Sequence, residues 1–177
     1  MANDIALETL AGLLQSGRAQ PVVNPDRVAP SAVYDLHYRM FIVASAFEIH
    51  ARPYLLGQRR IGASRLKLLQ FVAVRPWLVP VIRKWSEAQG YAQQSVLSPQ
   101  QLRRGFLGDE MHDDVVAFLV ARGAFYRMDA HLVTGVNAEL LKRLYSTGIE
   151  HTLFSTALQV LRELIDIRIT NGMLEGW

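Results

Sequence analysis

The densest run of side chains able to do chemistry is DEMHDD, Asp109–Asp114. An imidazole between carboxylates is a donor set for a divalent metal or for acid–base catalysis. These positions are consecutive at the start of a helix, however, so they project over a wide arc and cannot all converge on one ion. Helix capping and a solvated acidic face explain them with fewer demands, and no metal is assigned there. His37 and His50 fall within or just beyond the preceding helical pattern and have no evident supporting ligands. The chain holds no G-x-S-x-G, no phosphate loop and no H-E-x-x-H, and its Ser, His and Asp residues show no triad spacing. It has no cysteine, which excludes disulfides, cysteine-ligated zinc and a cysteine nucleophile. The expectation is a protein without catalytic residues, metal or cofactor.

The second concentration of functional side chains is basic. Net charge is only +3, but Arg52, Arg59, Arg60, Arg65, Lys67, Arg75, Arg83 and Lys84 fall between Ala51 and Lys84 with no acidic residue among them. Wherever they are exposed, such residues create a positive local field. Arg59, Arg60, Arg65 and Lys67, with Arg103, Arg104 and Arg127, are the candidates for non-specific contact with a nucleic-acid backbone. Sequence readout is disfavoured. The helix that would enter a DNA groove begins with Asp109, Glu110, Asp113 and Asp114, which phosphates repel. Those carboxylates suit the positive end of the helix itself.

Elements must position these residues. Residues 4–16 read as an amphipathic helix, with Ile5, Leu7, Leu10, Leu13 and Leu14 near one side. Pro21, Pro25 and Pro30 make the following stretch an extended connector. Ile5, Leu10, Leu13 and Leu14 must be buried, either on the chain's own domain or on another subunit. Ser31 can cap a helix running through Glu48 and stopping near Arg52, before Pro53. Ser64 offers a cap for a helix to about Arg75, and helical character resumes after Pro76 and Pro80 until Gly90. Ser98, Pro99 and Gln101 form a capping box. The helix it opens cannot run far past Gly105. Asp109 caps the next helix, which ends at Gly123. AFYRM and HLVT then alternate as two short strands, joined by a weak turn signal, Asp129–Ala130. From Val136 to Thr170 the pattern is helical again, with a break at Gly148. The stripe Leu153, Phe154, Ala157, Leu158, Leu161, Leu164 and Ile165 suits either self-packing or an oligomeric seam.

Half the residues are hydrophobic and a fifth are charged, a globular composition with room for a real core. No stretch approaches 18 uninterrupted apolar residues, so no membrane span is expected. The N-terminus carries Asp4 and Glu8 and no basic leader, which points to the cytoplasm. The expected fold is mainly α with a small β-hairpin. It has a winged-helix-like core, formed by the capping-box helix, the acid-tipped helix and the hairpin, with N- and C-terminal helical extensions. Residues 1–30 form the helix and connector, and 31–177 a single domain.

With a helix ending in EIHARPYLL, and VVAFLVARGAFYRMDAHLVTGVNAELLKRLYS ahead of the last helices, the chain resembles a known group. It is similar to the small middle components of bacterial ABC-three-component defence systems, including the small subunit of Lamassu-type anti-phage systems. The resemblance spans roughly residues 31–165 and rests on overall pattern, a helix followed by L-x-x-R-G (Leu119–Gly123) and a wing. It implies an accessory role beside an SMC-like ABC ATPase and an effector, often a nuclease. Residues 1–30 fall outside the match and would suit reaching onto one of those partners. The reading is a non-catalytic adaptor in a hetero-oligomer; the alternative is a winged-helix DNA-binding transcriptional regulator.

Overall fold

The computed structural model describes residues 35–87, 99–170 and Leu174. The helix expected at 4–16, with Ile5, Leu10, Leu13 and Leu14, lies outside the described residues, as do the Ser31 and Ser98 caps and the Gly90 stop.

Helix α1, Leu36–His50, is the axis of the fold. Asp35 caps it by accepting from the Tyr38 amide at 3.0 Å. Every residue from Tyr38 to Phe47 is buried. A helix buried on all sides must be enclosed by others. Among the described residues four helices enclose it: α2 (Ala63–Ala73), α5 (Glu110–Ala121), α6 (Glu139–Ile149) and α7 (Ser155–Glu163). Gly62 occupies the N-cap position of α2 with no side-chain cap bond, which places Ser64 inside the first turn, two positions too late for the cap expected of it. A 3₁₀ turn at Pro76–Leu78 leads into α3, Val79–Glu87, which carries Pro80 in its first turn, where no intrahelical donor is lost. Helix α4, Pro99–Leu107, packs on α2.

The carboxyl end of α5 explains L-x-x-R-G. The Ala124 amide donates to Leu119 O and the Gly123 amide to Val120 O, both at 2.9 Å. Gly123 sits at φ 72. This is a Schellman stop, which favours glycine at the left-handed position. The chain then enters β3, Phe125–Met128, and returns along β4, His131–Thr134, through a turn with Asp129 at φ 52. A Cβ on Gly135 would lie 2.2 Å from Gly123 O, so only glycine fits where the hairpin closes back on the helix end.

The expected hairpin is therefore present, within a larger sheet. Strands β1 (Arg52–Pro53) and β2 (Arg59–Gly62) form a second hairpin, and the antiparallel order is β1-β2-β4-β3. Strand β2 lies beside β4, so α1, β2, α2, α5, β3 and β4 reproduce the chain order and sheet order of a winged helix. Helices α3 and α4 are an insertion between its second and third helices. The helix preceding α5 in that core is thus α2, and the sequence reading of α4 followed by α5 as the core pair is corrected.

The stripe on α7 packs inward. Phe154, Ala157, Leu158, Leu161 and Leu164 belong to the core, and the Phe154 ring lies 4.5 Å from Phe41 and 5.2 Å from Tyr38. Ile165 alone of that stripe is exposed, and Leu153 is partly buried. Gly148 comes at the end of α6, where a Cβ would lie 3.0 Å from the Phe41 ring. No helix among the described residues is long and apolar enough to cross a membrane.

Candidate functional site

The run DEMHDD is split between core and solvent. Glu110, Asp113 and Asp114 are exposed, while His112 is 3% exposed. Asp109 occupies the N-cap position of α5 but makes no side-chain cap bond. Its carboxylate instead accepts from Arg39 Nη1 of α1 at 2.8 Å, with both side chains almost fully buried. The Gln70 carboxamide of α2 donates to His112 Nδ1 at 2.8 Å and accepts from Arg39 Nε at 3.2 Å. An accepting Nδ1 puts the imidazole proton on Nε2. Lys67 of α2 reaches Asp113 at 2.6 Å. Burial first, then the Lys67 ammonium, holds the His112 pKa down at about 4. The acid-tipped end of α5 is thus tied to α1 and α2. Among the described residues no group of His, Asp and Glu is arranged to hold a metal ion.

The basic candidates divide among five places. Arg59 points to the core side of the sheet and closes the carboxyl end of α1. It donates to Glu48 Oε2 and Glu48 O at 2.6 Å and to Ala51 O at 3.3 Å. Lys67 is buried in the network above. Arg103 and Arg104 lie on α4, and Arg127 is exposed on the edge strand β3, on the core-facing side by register. Only Arg60 and Arg65 come together, and they do so through Arg52. Arg52 stands directly opposite Arg60 in the β1–β2 ladder. Arg65 feels the Arg52 charge, which adds to burial in lowering its pKa. The Arg60 guanidinium lies 4.6 Å from the centroid of the Tyr54 ring.

The sequence reading missed the tip of the β1–β2 hairpin. Leu55 is 64% exposed and Leu56 fully exposed. Leu56 has φ 51, ψ 40, Gly57 has φ 76, and the Gln58 amide donates to Leu55 O at 3.0 Å. Two successive left-handed residues at such a turn are the geometry of a type I′ hairpin, which favours Asn-Gly. Leucine in that conformation costs about 1–2 kcal/mol. Leu-Leu-Gly after Pro-Tyr was the available signal, obscured because the first turn position lacks the usual Asn or Asp. No protein family, curated protein or solved structure matches the chain.

Proposed function

We propose that this chain is a non-catalytic, cytoplasmic accessory subunit of a bacterial defence complex, bridging or regulating an SMC-like ABC ATPase and an effector nuclease. The observation that carries the reading is the Leu55–Leu56 tip. A bulky apolar residue held in water, in a strained backbone conformation, is disfavoured twice over in the isolated protein. Insertion into a partner's apolar pocket would offset both costs. The burial of Asp109 and His112 agrees with this reading, because the end of α5 that reads bases in a DNA-binding winged helix is here bound to α1 and α2. Ile5, Leu10, Leu13 and Leu14 are offered as a second attachment.

Affinity purification of the tagged chain from its native host, followed by mass spectrometry, tests this. Recovery of a large coiled-coil ATPase together with an effector is expected. Recovery of the chain alone, or with DNA only, would instead make it a free-standing regulator.

A further inference from the structure

The outward face of the sheet is read from the register. Ile61, Leu132 and Phe125 face the core, and Phe125 packs 4.9 Å from Phe47 of α1. Arg52, Arg60, Val133 and Tyr126 therefore share the opposite face across all four strands. Arg65 enters from the first turn of α2, its Cβ beside Gly62 on that face; its Nη1 donates to Ile169 O at 3.3 Å, which leaves the other guanidinium donors for a phosphate. Among the described residues, none of Arg52, Arg60 and Arg65 is ion-paired with a carboxylate. Arg52 and Arg60 are like charges directly opposite on neighbouring strands, an arrangement that destabilises a sheet. Among the described residues no carboxylate compensates it.

We propose that this face, Arg52, Arg60 and Arg65 with Tyr126 at its margin, binds the sugar–phosphate backbone of duplex DNA without reading its sequence. Planar guanidinium groups grip phosphate oxygens with paired donors, and Arg60 is already oriented by stacking on Tyr54. A protein partner would need an apolar anchor at the centre of the patch. Val133 at that centre is fully covered, and the exposed leucines lie off the face at the hairpin tip. Arg60 and Arg65 belong to the set singled out by sequence; the register adds Arg52 and removes Arg59 and Lys67, whose charges are used internally. The inference stands on the sheet alone and does not depend on the partner complex.

The test is fluorescence anisotropy of the full chain on a labelled 30-base-pair duplex of arbitrary sequence, between about 50 and 200 mM salt. Three phosphate contacts predict a log–log salt slope near −2.7, which is about 40-fold weaker binding over that range. Arg52→Gln/Arg60→Gln should flatten the slope by about 1.8, and Arg52→Gln alone by about 0.9. Both variants should melt at or slightly above the wild-type temperature, because a like-charge pair has been relieved. No binding at 50 mM salt would overturn the proposal. So would unchanged binding by both variants, an equal loss from Arg104→Gln on α4, or equal competition by polyglutamate at matched charge.

Discussion

Arg39 and Lys67 each face a carboxylate of α5, yet the two pairs should not weigh alike. Arg39 and Asp109 are 2% and 7% exposed, whereas Asp113 opposite Lys67 is 57% exposed. Removing one partner of a buried pair strands the other, at about 3–5 kcal/mol. A pair open to water is worth about 0–1 kcal/mol. Urea denaturation should therefore show Asp109→Ala losing about 3 kcal/mol and Lys67→Met changing stability by less than about 1 kcal/mol. Equal losses would contradict the burial argument. His112 gives the same interior a pH dependence. The unfolded chain takes up its imidazole proton near the ordinary 6.5, the folded protein only near 4. Between those values the unfolded state binds more protons, so stability falls as pH falls, by about 3 kcal/mol over the window. His50, lowered by burial too, adds in the same direction. His112→Gln should remove most of that slope in urea titrations from pH 7 to pH 4; an unchanged slope would place its origin elsewhere. At this scale the sequence displayed the acidic run but not its use. Arg39 precedes Asp109 by 70 positions, and no local pattern links them.

Turns decide the elements. The Schellman stop at Gly123 and the close approach of Gly135 hold the β3–β4 hairpin against the end of α5. Gly135→Ala would set a methyl group against a backbone oxygen that is itself accepting from the Asn137 amide. The expected loss exceeds about 2 kcal/mol, read as a lowered midpoint in thermal or urea unfolding; a neutral result would mean the two segments separate easily. At the other hairpin the sign reverses. Leu56→Asn places a residue that tolerates left-handed backbone in the turn, and should raise stability by about 1 kcal/mol. The helices from α1 to α7 were legible because each has helical apolar spacing and Pro, Gly or Asp near its ends. The β3–β4 hairpin was legible from alternation. The β1–β2 hairpin was not, since β1 has two residues, one of them proline, and β2 alternates too briefly to show a period. Asp109 shows the limit of cap reading: the right residue stands at the right place, but its carboxylate serves another helix.

In the whole molecule, the winged-helix order is interrupted by α3 and α4, so the three core helices are not consecutive. That interruption misled the sequence reading about which helix precedes α5, because local patterns carry no record of an insertion. It also separates the uses of charge. Asp109 and His112 at the start of α5 are tied inward, Arg59 closes α1, and Arg52, Arg60 and Arg65, with no carboxylate partner among the described residues, gather at the outer sheet face. The apolar tip projects from the same hairpin. A subunit that docks through this tip would carry the arginine face beside its partner, and anchoring and DNA contact would remain separable by mutation. The most direct measurement is quantitative affinity purification of the wild-type chain and of Leu55→Ser/Leu56→Ser, side by side, from the native host. Wild type should bring down the ATPase and effector together. The double variant should lose them by tenfold or more while melting no lower than wild type. Equal recovery by both proteins, or no ATPase with either, would contradict the account.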